Sequence, residues 1–264
     1  MKKQISVAIA ITVILAGFAG YYYWQHSQPK PQVVSVQLPP PPPPPKPDIR
    51  QIVETPPAAN PLPALADSDN FMFEALTDLL GNKSLMRFFG SERIIRNIVA
   101  TIDNLPRRDV SMNVMPVRKV PGKFIATGAD PIISPKNAAR YAPYMRILAA
   151  ADSKKTVELY VNLYPLFQQA YEDLGYPNKY FNDRLMVVID ELLATPDIKE
   201  PVKLIHPSVY YKFADPDLER RSIGQRILMR IGSHNEAIVK NWLGEVKQQL
   251  MLHLQETQVD KPVK

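Results

Sequence analysis

Apolar residues recur at helical spacing along most of the chain from about residue 67 onward. Positions three and four residues apart share the same character, as in an amphipathic helix, and Ser, Asp, Gly and Pro fall where such helices begin and end. The pattern predicts seven main helices, over residues 68–80, 91–106, 134–150, 153–174, 180–194, 222–232 and 233–256. We therefore expect a mostly α fold in a single domain over residues 67–256.

Two segments interrupt the helical pattern. Residues 106–133 are punctuated by prolines and glycines, and short extended pieces at 112–117 and 123–127 predict at most one small β-hairpin there. Residues 196–216 are also broken by prolines, and no regular element is predicted in them.

The longest of the early helices carries an aromatic stripe. Tyr160, Tyr164, Phe167 and Tyr171 recur at spacings of four, three and four residues, which places them on one narrow face. Aromatic residues at this spacing mostly fill cores. We expect the stripe at the edge of the core, with the tyrosine hydroxyls reaching water.

The N-terminus predicts a membrane anchor over residues 1–27. An uncharged stretch begins at Ile5 and ends at the aromatic residue Trp24, long enough to span a bilayer. Lys2 and Lys3 precede it, so the positive-inside rule places the rest of the chain outside the cytoplasm. The alternative is a signal peptide cleaved after Ala19.

Residues 28–66 predict a stalk. They hold 14 of the 27 prolines, including seven in a row at 39–45. Proline excludes helix and central strand, and such a run adopts the extended polyproline II helix. The stalk is interpreted as a spacer or as a ligand for an aromatic groove. Residues 257–264 are predicted to form a flexible tail.

Composition narrows the function further. The absence of cysteine excludes a disulfide scaffold, a thiolate metal site and a cysteine nucleophile. Half of the net charge of +6 comes from residues 1–65. Residues 66–264 carry 27 cations and 24 anions, a net charge of only +3. This balance lacks the dense basic face that nucleic-acid binding uses. Metal-ligand spacings of histidine and phosphate-binding glycine loops are missing as well, so no cofactor or metal is expected.

Carboxylates provide the best candidates for catalysis. Asp183 and Asp190 share one face of a predicted helix, about 10 Å apart along its axis, and Glu172 or Asp103 could supply a partner from elsewhere. Two carboxylates suffice for glycoside cleavage. The alternative interpretation is a solvated or salt-bridged face formed with Arg184 and Lys179.

The loop before that helix is the richest polar and aromatic stretch. Tyr176, Tyr180, Asn182, Asp183 and Arg184 could bind a sugar or a peptide, because loops often carry function. They could equally lock the corner between two helices through buried hydrogen bonds. We place the candidate binding site here.

Several segments together resemble a known bacterial family, the domain of unknown function 3014. They read LYPLFQQAYEDLGYP at 163–177, YFNDRL at 180–185, YKFADP at 211–216 and VATIDNLP at 99–106. The resemblance covers most of residues 67–250. It implies a membrane-anchored proteobacterial envelope protein, and it brings no activity with it.

The sequence thus predicts a single-pass protein of the bacterial inner membrane with its helical domain in the periplasm. The expected role is interaction or scaffolding with an envelope protein or cell-wall partner, without catalysis. The alternatives are a cell-wall glycan-active enzyme using Asp183 and Asp190, and a small-ligand or sugar-binding module near Tyr176 to Arg184.

Overall fold

A computed structural model of the chain describes residues 61–90, 92–109, 115–198, 201–207 and 209–259. These ranges contain nine α-helices and two pairs of short antiparallel strands, which confirms the mostly α class. The predicted anchor from Ile5 to Trp24, most of the stalk and residues 260–264 lie outside the described residues. No helix within those ranges is long and apolar enough to cross a membrane.

The helices follow one another along the chain with short connections. They are α1 (Ser68–Leu80), α2 (Ile94–Asn104), α3 (Lys136–Arg140), α4 (Ala142–Ala150), α5 (Ser153–Asp173), α6 (Phe181–Leu193), α7 (Pro216–Glu219), α8 (Ile223–Arg230) and α9 (Ser233–Val259). Short 3-10 turns occupy Leu65–Asp67 and Lys83–Phe88. Leu62 and Leu65, on the stalk side of the predicted boundary at residue 67, pack against the core. Helix α9 extends to Val259, into the segment predicted as tail.

Helix α2 begins three residues later than predicted. The prediction of a start at residue 91 is wrong because Asp69 of α1 caps the helix from a distance. Its carboxylate accepts hydrogen bonds from the backbone N–H of Arg93 (2.6 Å) and of Ile94 (2.8 Å). These bonds satisfy N–H groups that lack a partner within the helix.

The single helix predicted over residues 134–150 is two helices, α3 and α4. The break falls at Tyr141, just before Pro143. Proline has no N–H to donate and its ring collides with the preceding turn. Pro143 is therefore accommodated in the first turn of a new helix.

The strands also differ from the prediction. β1 (Ala126–Thr127) pairs with β2 (Ile132–Ile133), not with residues 112–117, of which 112–114 lie outside the described residues. A second pair, β3 (Leu204–Ile205) with β4 (Lys212–Phe213), forms in the segment for which no element was predicted. Two-residue strands are too short to give a readable alternation in the sequence.

Helix α5 lies at the centre of the domain and packs against both α2 and α9. It begins after Asp152, whose side chain accepts a hydrogen bond from the Lys155 N–H at 2.8 Å, and Gly175 follows its end with a φ of +112°. Its buried face carries Tyr164, Phe167 and Tyr171. These three residues of the predicted aromatic stripe are buried in the core.

Candidate functional site

The predicted binding residues begin in the loop between α5 and α6 and continue into the first turn of α6. Tyr176 stacks on Tyr171 of α5 with ring centroids 4.6 Å apart. The ammonium of Lys179 lies 5.4 Å from the centroid of the Tyr176 ring. The loop is therefore folded back against the end of α5.

Asp103 of α2 is a buried carboxylate to which residues of this corner donate hydrogen bonds. It is only 2% exposed. Its carboxylate accepts hydrogen bonds from Nε of Arg184 at 2.9 Å, from the Arg107 guanidinium, and from the Tyr176 hydroxyl at 3.3 Å. Arg184 also donates to the Asp103 carbonyl at 2.7 Å. The hydrogen bond to Asp103 raises the pKa of the Arg107 guanidinium. Two of the predicted site residues, Tyr176 and Arg184, thus serve to join α6 and its loop to α2.

The Gln168 side chain of α5 also forms hydrogen bonds with the loop at this corner. Its Oε1 accepts from the Phe181 N–H at 2.9 Å and from the Tyr164 hydroxyl at 3.0 Å. Its Nε2 donates to the Lys179 carbonyl at 2.9 Å and to the Glu172 carboxylate at 2.8 Å. These contacts fit the alternative interpretation, a corner locked by hydrogen bonds.

The remaining predicted residues are spread along α6. Tyr180 is half-buried and precedes the helix as its N-cap residue. Asn182 is 1% exposed, and its Oδ1 has no hydrogen-bond partner within the part of the chain that the structure describes. Asp183 is half-buried in the first turn. Asp190, two turns further on, forms an ion pair with Lys247 of α9.

A cavity of about 360 Å³ lies among five helices, α1, α2, α5, α6 and α9. Its wall is almost entirely aliphatic and aromatic. Twenty residues line it: Met72, Leu76, Leu79, Ile98, Ile102, Leu105, Thr156, Val157, Leu159, Tyr160, Phe167, Phe181, Leu185, Val188, Ile189, Leu192, Trp242, Leu243, Val246 and Leu250. Its volume is within the range of small-molecule pockets, about 300–1,000 Å³.

Only three lining side chains contain a polar atom, and two of these atoms are already bonded. The Thr156 hydroxyl donates to the Asp152 carbonyl at 2.7 Å, and Nε1 of Trp242 donates to the Ala151 carbonyl at 2.8 Å. The hydroxyl of Tyr160 is buried and has no hydrogen-bond partner among the described residues. An unpaired buried hydroxyl costs about 1–3 kcal/mol.

The prediction that the tyrosine hydroxyls of the stripe reach water is wrong for Tyr160. Its ring lies edge-on to Tyr164, with centroids 5.8 Å apart, and 5.4 Å from the centroid of Phe167. Burial raises the pKa of Tyr160 well above its ordinary value, and nearby Tyr164 and Asp183 raise it further. Tyr160 is therefore neutral, and its buried hydroxyl exposes almost no surface to the cavity that its ring lines.

Sequence reasoning missed this cavity because its walls come from helices far apart along the chain. In the sequence, a lining residue is recognisable only as one position on the apolar face of its own helix. Whether facing side chains fill the space between them depends on helix spacing, which periodicity does not report. The described residues contain no group of three or more His, Cys, Asp or Glu side chains placed to hold a metal ion.

The fold and this site define the class of protein: a mostly helical domain with a ligand-sized apolar cavity. A family model described as "Protein of unknown function (DUF3014)" matches residues 94–247, more than half of the chain, and the chain belongs to that family. No curated protein and no solved structure matches it. The matched segment includes Asp103, Tyr160 and Arg184, whereas α1, which forms one wall of the cavity, precedes it.

Proposed function

We propose that this protein is a non-catalytic binding module of the bacterial cell envelope that accommodates a small apolar molecule among its helices. The single observation that carries the proposal is the cavity of about 360 Å³ between α1, α2, α5, α6 and α9. An apolar cavity of about 150 Å³ already binds benzene. A space more than twice as large offers correspondingly more apolar surface to a ligand.

The character of the wall supports binding rather than conversion of the ligand. None of the 20 lining residues is a carboxylate, a histidine or a lysine, and the one tyrosine hydroxyl among them is buried, so the wall presents no ready general acid or base to a bound molecule. The carboxylates considered for catalysis have other contacts, since Asp190 pairs with Lys247 and Glu172 accepts from Gln168. The expected ligand is therefore held and released unchanged.

The N-terminal sequence supports a location beside the inner membrane, on its periplasmic side. The uncharged stretch from Ile5 to Trp24 and the proline-rich stalk would hold the domain within reach of the bilayer. Lipids and their derivatives are the apolar molecules available there. A reporter enzyme that works only outside the cytoplasm, fused after Gln37, tests this orientation. Activity confined to a cytoplasmic reporter would reject it.

Intrinsic fluorescence provides a direct test of the cavity. The chain has two tryptophans, Trp24 and Trp242, and Trp242 lines the cavity. In a Trp24→Phe background Trp242 is the sole reporter, in full-length protein held in a nanodisc. We expect bromobenzene to quench its emission in a saturable manner, because the bromine would enter the space that the indole lines.

Two matched substitutions on α6 complete the test. Leu185→Phe adds volume at a residue of the cavity wall, and we expect it to weaken saturable quenching by bromobenzene. Val187→Phe places the same ring at a residue that is 58% exposed, and quenching should be unchanged. Quenching that rises linearly and equally in all three proteins would refute the proposed function.

A further inference from the structure

The cavity presents almost no polar surface to a molecule inside it. The Thr156 hydroxyl and Nε1 of Trp242 both donate to backbone carbonyls, and the hydroxyl of Tyr160 exposes almost no surface. A polar group that entered the space would lose its hydrogen bonds to water and gain none from the wall. The part of a ligand that enters is therefore hydrocarbon, and its polar groups stay outside the cavity.

The volume of the cavity limits the size of that hydrocarbon part. An apolar cavity of about 150 Å³ holds one benzene molecule, with its six carbon atoms. In the same proportion, the space of about 360 Å³ holds about 14 carbon atoms. A bilayer phospholipid carries two acyl chains of this size or longer, so at most one of its chains would fit.

The lined length of two helices favours an elongated space. Wall residues extend from Thr156 to Phe167 on α5 and from Phe181 to Leu192 on α6. This is about 16 Å along each helix axis, whereas a sphere of the cavity's volume would be only about 9 Å across. One acyl chain also spans about 15 Å, which is half of the hydrocarbon core of a bilayer.

We propose that the cavity accommodates a single linear hydrocarbon chain of about 10–14 carbon atoms, such as one acyl chain of a lipid, with the polar end of the molecule outside. This inference rests on the proposed function and adds the chemical class and size of the ligand. Thr156 lies in the first turn of α5, is half-buried, and adjoins the exposed Lys155. One edge of the cavity is therefore close to the domain surface, where a polar end remains in water.

Three alcohols with the same number of carbon atoms test this class by displacing bromobenzene from full-length Trp24→Phe protein in a nanodisc. 1-Decanol has a linear chain with one polar end, 1-adamantanol holds its carbons in a compact cage, and 1,10-decanediol has a polar group at both ends. We expect 1-decanol to restore the emission of Trp242. 1,10-Decanediol should bind about tenfold more weakly, because one hydroxyl must enter unpaired, and the cage of 1-adamantanol should also bind more weakly because it fits an elongated space poorly.

Chain length provides a second readout. From 1-hexanol to 1-decanol, each added methylene should tighten binding about fourfold, with free aqueous concentrations corrected for uptake by empty nanodiscs. Leu185→Phe reduces the space and should weaken 1-decanol more than 1-hexanol, whereas Val187→Phe, at an exposed position, should change neither. Equal displacement by the three ten-carbon alcohols, or no displacement by 1-decanol, would overturn the inference while bromobenzene still occupies the cavity. Absence of saturable quenching by bromobenzene would instead overturn the proposed function.

Discussion

At the scale of single residues, one buried carboxylate organises the region that the sequence singled out. Asp103 accepts hydrogen bonds from Arg107, four residues further along the chain, and from Tyr176 and Arg184 at the corner between α5 and α6. The sequence predicted a functional loop at residues 176–184 because polar and aromatic side chains are dense there. The same density serves a corner lock, and the centre of that lock lies 73 residues before Tyr176.

Asp103→Asn should destabilise the domain by about 2–3 kcal/mol. Breaking a buried ion pair leaves its partner without compensation, although Arg184 and Arg107 keep some access to water, with side chains 25% and 45% exposed. Urea unfolding of the full-length protein, followed by helical circular dichroism, measures the loss. Asp190→Asn removes a carboxylate whose side chain is 55% exposed in its pair with Lys247, and it should change the free energy of unfolding by only about 0.5 kcal/mol or less. Equal effects of the two substitutions would contradict this role of Asp103.

Glu236 of α9 should make stability depend on pH. Burial raises the pKa of its carboxyl, and the nearby charge of Lys240 offsets only part of this rise. The folded protein therefore holds this proton more tightly than the unfolded chain does. The resulting stability is fully present below the ordinary carboxyl pKa and is lost as pH rises through the raised pKa of the folded state.

Glu236→Gln removes this titration. We expect the variant to gain free energy of unfolding relative to the wild type as pH rises from about 4 to about 7. Urea unfolding at several pH values measures the difference in free energy of unfolding between the variant and the wild type. Asp197→Asn changes an exposed partner of the same lysine, with a side chain 91% exposed, and should show no such trend. If the difference between Glu236→Gln and the wild type stays constant over this pH interval, Glu236 is not the source of the pH dependence.

At the scale of elements, the helices that were predicted well are those whose start and stop signals are local. α1 has the predicted bounds with Gly81 at its end, and α5 and α6 agree with their predictions to within a residue or so. The start of α2 was misplaced because its cap comes from Asp69. Long-range partners of this kind, like the pairing of two-residue strands, leave no local trace in a sequence.

Helix α8 approaches its neighbours so closely that one position requires glycine. A Cβ at Gly224 would lie 2.6 Å from Cδ2 of Leu192 and 3.2 Å from the Leu105 carbonyl oxygen. Gly224→Ala should therefore cost about 1–3 kcal/mol through overpacking. Gly244→Ala in α9 meets no atom within 4 Å and should stabilise by about 0.5–1 kcal/mol, because alanine loses less backbone entropy. Thermal unfolding of both variants measures the two signs, and a shared sign would refute the packing argument.

At the scale of the whole molecule, the class of fold was accessible from the sequence and the candidate site was not. Helical periodicity identifies which faces are apolar, and it was correct for the aromatic stripe of α5. Periodicity does not indicate how much space is left between the apolar faces of five helices when they pack together. The cavity and the burial of the Tyr160 hydroxyl are properties of that assembly, so only the three-dimensional structure contains them.

The order of the elements along the chain has a mechanical consequence. The proline-rich segment joins the domain at Leu62 and Leu65, whose side chains pack in the core, and α1 follows directly. α1 also supplies Met72, Leu76 and Leu79 to the wall of the cavity. If the N-terminal segment anchors the chain in a membrane, as the sequence predicts, tension along the proline-rich segment would act first at the end of the domain next to α1, the helix that forms one side of the cavity.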